Sequence, residues 1–423
     1  MKFLPNGDPP RRRRRLEAEV DGEGRLVLPA EFAREMGLEP GARVPMTDEP
    51  DALRLYRPLT HLAKVYVEPT SRCNLGCRTC MRHAWDEPAG DMDDATFERV
   101  LRGLAQVDPT PTLFLGGFGE PLSHPAIVDM VAAGRAVGAP VELITNGTLL
   151  DEATSRRLVD AGLSRLWVSL DGARPESYED VRLGAELAQV LENLRRFRQI
   201  DPPGGRPALG IAFVAMRRNI ADLPALVDLV EELEGSRLMV SNLVPHTEAM
   251  VEDILYQRSL ADPTLFAPFR QRLELPLMDV DSDTGPALMA ALRREPNVTV
   301  AGRDVADGGN HCPFIERGSL TVAWDGSVSP CLPLSHSYTA YLNRFRREWR
   351  RHVVGTLAER PLLEIWRDPE YLAFRERVSR FDFSPCVSCG ACHLAETNED
   401  DCFGSGTPSC GGCPWARGVV QCP

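Results

Sequence analysis

Cys73, Cys77 and Cys80 stand in the run VEPTSRCNLGCRTC with CxxxCxxC spacing. The preceding KVYVE alternates and is β-branched, which predicts a strand running into the cysteine loop. Three thiolates offered within so short a loop suit an iron–sulfur cluster. A four-iron cluster normally takes four cysteines. Three leave one iron open, and an open iron can bind a small molecule and pass it an electron. The competing chemistry is a structural zinc site, although zinc favours paired CxxC knuckles and a closed set of four ligands.

A second group of thiols fills the tail, where nine of the twelve cysteines lie beyond residue 311. Cys312 and Cys331 flank SLTVAWDGSVSPC, which reads as a hairpin with Asp325-Gly326 at its turn. Cys386, Cys389, Cys392, Cys402, Cys410, Cys413 and Cys422 follow in PCVSCGACHLAETNEDDCFGSGTPSCGGCPWARGVVQCP. One or two zinc ribbons are the alternative to iron–sulfur clusters here. The acids Glu396, Glu399, Asp400 and Asp401 read as a solvated loop. No general acid or base stands out.

The elements that must position these groups alternate regularly. Helices are expected at Asp93–Gln106, His124–Val137, Asp151–Ala161, Glu186–Gln199 and Ala221–Leu233. Strands are expected at KVYVE, TLFLGG, VELIT, RLWVSLDG, ALGIAFVAM and RLMVSNLVP. Six strands separated by helices predict a parallel sheet with right-handed crossovers, and function gathers at the C-terminal strand ends. There stand LGGFGEP, and then Asn146, Ser169 and Asp171, the last three short polar groups suited to ribose hydroxyls or a carboxylate. Asn242 and His246 end the sixth strand and are candidates to face a substrate. In the tail, Pro361–Val378 reads as helical, with Trp366 and Phe374 in its core.

The CxxxCxxC loop after a first strand resembles that of the radical S-adenosylmethionine (SAM) enzymes. The resemblance implies an α/β fold, a partial (β/α)6 barrel. It also implies a 4Fe–4S cluster on Cys73, Cys77 and Cys80 with SAM at its open iron. Reductive cleavage of SAM would then give a 5′-deoxyadenosyl radical that takes hydrogen from a substrate. LGGFGEP resembles the family's GGEP motif with Phe118 inserted, which implies that Gly116, Gly117, Gly119 and Glu120 hold the methionyl amino group. The family's further SAM contacts fall on Asn146, Ser169 and Asp171. Thr79 stands where the family often has an aromatic residue. The order of the tail cysteines resembles the SPASM extension, which binds two auxiliary 4Fe–4S clusters, although the spacing departs from CxxC-x5-C-x3-C. By that analogy Cys312, Cys331 and one of Cys410 or Cys413 serve the nearer cluster. Cys386, Cys389, Cys402 and Cys422 serve the farther one, and Cys392 is spare.

The chain has 423 residues and a formal net charge of −13, which disfavours whole-protein binding to nucleic acid. No apolar run reaches the ~20 residues of a membrane span. The start, MKFLPNGDPPRRRRR, lacks the apolar core of a signal peptide. The expected compartment is therefore the cytoplasm, where this many cysteines point to metal or redox work. The expected layout is a disordered basic arm at 1–15, a small module at 16–58, the barrel at 61–247, a helical or linker insertion at 248–310 and the tail domain at 311–423. DGEGRLVLPAEFAREMGLEPGARV resembles the swapped-hairpin AbrB family, which dimerises and binds DNA. Gly24, Arg25, Val27, Leu28 and Pro29 match its first strand and turn, and Gly37, Leu38, Pro40 and Gly41 its second turn. Ala33 and Ala42 replace its usual arginine and aspartate. Residues 16–60 carry ten acidic and five basic side chains, the wrong sign for phosphate. That balance favours dimerisation or docking of a protein, while Arg11–Arg15 is the feature that would draw nucleic acid.

Three functions remain. HLAKVYVEPTSRCNLGCRTC, GGFGEPL, ELITNGTLL, WVSLDGA and CGGCPWARGVVQCP, spread over about 61–423, resemble the maturases of tungsten-dependent aldehyde:ferredoxin oxidoreductases. That resemblance implies a substrate in the oxidoreductase, its pterin cofactor or a peptide segment, with a reductant such as ferredoxin or flavodoxin. The second reading is a thioether or carbon–carbon crosslink in a ribosomally made peptide. The third is a redox-sensing DNA-binding regulator, against which the GGFGEP and SLDG strand ends argue, since a sensor needs no SAM site.

Overall fold

The computed structural model describes residues 17–49, 52–202, 205–257, 259–260, 273–294, 298–300, 303–304, 311–342, 344–386 and 392–423. The basic arm at 1–15, Cys389 and much of the 248–310 insertion lie outside the described residues.

Six parallel strands form the barrel: β1 (Lys64–Val67), β2 (Thr112–Leu115), β3 (Val141–Thr145), β4 (Arg165–Ser169), β5 (Ala208–Ala215) and β6 (Arg237–Asn242). They pair in sequence order, each parallel to the next. The crossover helices are α1 (Asp94–Leu104), α2 (Ile127–Ala136), α3 (Glu152–Asp160), α4 (Pro175–Val181), α5 (Leu187–Gln199) and α6 (Leu223–Glu232). Asp93 and Asp151 cap α1 and α3 by accepting from the N–H groups of Thr96 and Thr154, which satisfies donors the helix cannot. One apolar layer, including Val65, Val67, Leu113, Leu143 and Val168, packs outward against the helices. The opposite side chains, Tyr66, Phe114 and Trp167, turn into the barrel, as strand alternation requires.

The tail extends the same sheet. β7 (Ser319–Val322) lies parallel to β1, on the side away from β2. β8 (Ser327–Ser329) returns antiparallel through the expected Asp325-Gly326 turn, where Gly326 has φ +80°. A second hairpin, β9 (Tyr338–Leu342) with β10 (Phe345–Trp349), stands apart from the sheet, and β11 (Gly355–Thr356) completes its edge beside β8. The expected helical stretch divides into α7 (Leu362–Trp366) and α8 (Pro369–Arg380), because Pro369 cannot continue a helix. Trp366 is fully buried and Phe374 packs on the core.

One expectation is corrected and one element was missed. The insertion is not only helix and linker: Leu273–Leu275, Val298–Val300 and Arg303–Asp304 form a small sheet beside the helix Gly285–Arg294. The α4 helix was not foreseen. At the N-terminus, a hairpin of Glu19–Val20 with Leu26–Val27 precedes a helix Ala30–Glu35 and a hairpin of Met46–Glu49 with Ala52–Leu55. Gly24, Gly37 and Gly41 all have left-handed backbone there. Among the described residues no helix is long and apolar enough to cross a membrane.

Candidate functional site

The thiols of Cys73, Cys77 and Cys80 line one cavity of about 280 Å³ at the C-terminal ends of the barrel strands. The loop is held from two sides. Behind it, the N–H groups of Gly76 and Arg78 donate to Leu183 O and Val181 O at the end of α4. In front, Arg82 Nη2 donates to Leu75 O at 3.1 Å. Burial raises the thiols of Cys73 and Cys77, and two guanidinium groups act against it. Arg82 Nε lies 3.3 Å from Cys80 Sγ. Arg182 Nη1 lies 3.8 Å from Cys77 Sγ, while its Nε donates to Asp171 Oδ2 at 2.7 Å. These cations offset the negative charge that thiolates and a cluster bring, and hydrogen bonds to sulfur tune its potential. Sequence reasoning missed both arginines. Arg82 stands two residues past the last thiol, but Arg182 is 105 residues from Cys77.

Glu120 is 2 % exposed and lines the cavity. Its Oε1 accepts from Leu122 N at 2.9 Å and Thr145 Oγ1 at 2.7 Å, and its Oε2 accepts from Asn146 N at 2.7 Å. Burial raises its carboxyl, and these donors keep it in place beside the end of β3. Asn146 Nδ2 reaches Asn74 Oδ1 at 2.9 Å and stands 3.9 Å from Cys73 Sγ. Thr79, Ser169 and Asn242 line the same cavity. Asn242 also donates to Val419 O at 2.7 Å, so the tail segment carrying Trp415, Val420 and Gln421 forms part of the wall.

Several expected contacts fall elsewhere. Asp171 is fully buried and does not line the cavity: both its oxygens are taken, by Arg182 Nε and by Val214 N at 2.8 Å. It positions Arg182. Gly116 also lies off the cavity, and the space its Cβ would take is filled by Ile144 and Phe114. Gly117 and Gly119 do line it, yet their smallness serves the protein first. A Cβ on Gly119 would lie 2.1 Å from Thr70 O, and one on Gly117 2.6 Å from Glu68 Cγ. His246 is 8 % exposed, faces His83 at a ring separation of 6.3 Å and lies outside the cavity lining.

The tail gathers a second thiol set. Cys312, Cys331, Cys410 and Cys413 are mutual electrostatic neighbours, so the structure joins both Cys410 and Cys413 to the first pair. Burial pushes the Cys312 thiol up to about 12 and the others in the same direction. Around them stand donors with no oxygen or nitrogen partner: Tyr338 Oη, and Nε and Nη2 of Arg347. Their neighbours are the thiols of Cys331, Cys413, Cys422 and Cys386. Orphaned buried donors facing these thiols fit an iron–sulfur cluster, whose sulfurs accept such bonds. Cys422 lies beside Trp415 Nε1 at 3.2 Å and within reach of Cys413, on the barrel side of the tail. Cys392 and Cys402 are exposed and Cys386 is half-buried. Among the described residues no three or more His, Cys, Asp or Glu stand close enough to hold one metal ion.

Residues 67–230 match the radical SAM superfamily, and residues 312–393 match the SPASM iron–sulfur cluster-binding domain. The tungsten-containing aldehyde ferredoxin oxidoreductase cofactor-modifying protein of Pyrococcus furiosus is 28% identical over 372 residues, 85% of this chain and 96% of that protein. The AdoMet-dependent heme synthase of Methanosarcina barkeri is 31% identical over 352 residues, 78% of this chain and 92% of the synthase. Among solved structures, native anSMEcpe with bound AdoMet superposes with a TM-score of 0.51 at 16% identity, covering 78% of this chain and 87% of that one. At that identity the likeness is one of fold.

Proposed function

Because this chain belongs to the radical SAM superfamily, as an enzyme of its SPASM subfamily, we propose that it is a maturase acting on a tungsten-dependent aldehyde oxidoreductase or its pterin cofactor. The observation that carries this reading is the match to the Pyrococcus protein, which runs over 96% of that protein's length. The site supports it chemically. Cys73, Cys77 and Cys80 would hold the cluster, Arg82 and Arg182 would balance its charge, and Gly117, Gly119, Glu120, Asn146 and Ser169 would receive SAM. Bound there, cluster and SAM supply the 5′-deoxyadenosyl radical.

The tail would hold two auxiliary 4Fe–4S clusters. Cys312, Cys331, Cys410 and Cys413 hold one. Cys386, Cys389, Cys402 and Cys422 supply the other, with Cys392 as an alternative for Cys422, which sits nearer the first set. A ferredoxin or flavodoxin delivers the electron. In this reading the chain divides into a basic arm at 1–15, a dimerisation or docking module at 16–58, the barrel at 61–247, an insertion at 248–310 and the cluster-bearing tail at 311–423.

The test is anaerobic reconstitution, incubation with the candidate oxidoreductase and SAM, and mass analysis of both the protein and its cofactor. A 5′-deoxyadenosine-dependent mass change in either supports the reading. Cleavage of SAM with neither partner altered overturns the substrate. The Cys73→Ala, Cys77→Ala, Cys80→Ala triple variant is expected to form no 5′-deoxyadenosine while retaining iron in the tail.

A further inference from the structure

A buried charge cluster ties the tail to the cavity wall, and none of the roles above uses it. His336 follows the short turn Leu332–Leu334 that begins directly after Cys331. Its side chain is 2% exposed. Nε2 lies 2.9 Å from Glu68 Oε2, and Nδ1 lies 2.6 Å from Glu87 Oε2. Glu68 follows β1 directly and is 1% exposed. Glu87 sits in the segment after the cysteine loop, and its other oxygen accepts from Ser337 N at 2.7 Å. The ring of Trp85 lies 4.1 Å from that of His336, and Phe118 meets it edge-on at 5.7 Å.

The remaining oxygen of Glu68 points to the cavity loop. Oε1 accepts from Phe118 N at 3.1 Å, and Phe118 lines the cavity between Gly117 and Gly119. Gly117 has no room for a Cβ because the Glu68 side chain fills that space. Glu68 therefore sets the backbone of the loop, and something must hold Glu68. A carboxylate buried this deeply needs a charged partner. Imidazole donates from both nitrogens only when protonated, and His336 faces a carboxylate at each. Burial works against its charge, but bonds to Glu68 and Glu87 win and raise it to about 9. The charged groups facing the cluster are Glu68 from β1, Glu87 from the loop and Arg351 from the tail, which acts on Glu87.

We infer that His336 is a positioning residue for the SAM cavity: through Glu68 it fixes Gly117 and Phe118, so that the tail domain sets how tightly the barrel binds SAM. This rests on the reading of that cavity as the SAM site.

The test uses the reconstituted full chain and reads 5′-deoxyadenosine formation against SAM concentration. His336→Leu is expected to raise KM for SAM about tenfold while kcat falls less than about threefold. His336→Gln, which keeps a donor, recovers part of the loss. An unchanged KM in His336→Leu with the iron content of the wild type overturns the inference. A second variant does not depend on the folding of the first. Above pH ~9 the wild-type KM for SAM should rise as His336 loses its proton. In Glu87→Ala, His336 keeps one carboxylate, so the rise should begin about one pH unit lower. Superposable profiles also overturn the inference. The triple cysteine variant separates the two claims. Cleavage that survives it fails the reading of the cavity, whereas an unchanged KM beside a silent triple variant fails only the role of His336.

Discussion

At the residue scale the cavity is organised by carboxylates already bonded to the protein. Glu120 ties the second strand end to the third, Asp171 aims Arg182, and Glu68 holds Phe118. A ligand ammonium at Glu120 must therefore share a carboxylate with three protein donors, which a carboxylate's four acceptor positions permit. Glu120→Gln keeps the shape but removes the charge and turns an amide towards a donor. It is expected to weaken SAM binding by ~1.5–3 kcal/mol, measured by equilibrium dialysis on the reconstituted protein. Unchanged affinity would make Glu120 purely a loop brace. The cysteines of the site were legible in the sequence because their spacing is local, and Glu120 and Asn146 because they lie in the loops that follow strands. The arginines were not. Arg182 meets Cys77 only because α4 folds back over the cysteine loop, and no pattern within a window of sequence records that.

At the element scale the barrel was legible because each of its strands and its longer crossover helices repeats its own period. Helix ends were foreseen to within a few residues where an aspartate caps them, as at Asp93 and Asp151. The α4 helix is seven residues long, too short for periodicity to separate it from a loop. The addition of β7 beside β1 depends on pairing across some 250 residues, a tertiary choice that alternation alone cannot specify. The glycine loop after β2 shows how tightly these elements are fitted. A Cβ on Gly119 would meet two carbonyl oxygens, Thr70 O at 2.1 Å and Arg72 O at 2.6 Å, and backbone cannot move aside as a side-chain tip can. Gly119→Ala is therefore expected to displace the cysteine loop and to lose the iron of the barrel site while the tail keeps its own. Iron quantification with Mössbauer or paramagnetic resonance spectra would read this. Full iron at the barrel site in that variant would show that the loop adapts.

At the scale of the whole molecule, barrel and tail share one sheet and the cavity wall between them, and the N-terminal module stands outside that unit. The tail's metal content decides between clusters and ribbons: the three-cluster reading expects roughly twelve irons per chain, and about four irons with one or two zincs would replace it with zinc ribbons. The N-terminal module shows the opposite character. Its two hairpins leave Val20, Leu26, Val27, Met46 and Leu53 about half exposed or more. Its helix has no buried residue. So small a unit buries too little surface to be stable alone. It meets the rest of the chain at Gly37, which packs against His61. Its apolar faces and net acidic balance suit a protein partner, a second copy or the substrate protein, better than a phosphate backbone. Deletion of residues 1–58 is therefore expected to leave cluster loading and uncoupled SAM cleavage at wild-type levels. It should weaken dimer formation by light scattering, or docking of the oxidoreductase by pull-down. Tight, salt-dependent binding of DNA by the full chain, lost on the same deletion, would reverse this assignment. Its salt dependence should then trace to Arg11–Arg15, and replacing that run with glutamine would flatten the slope.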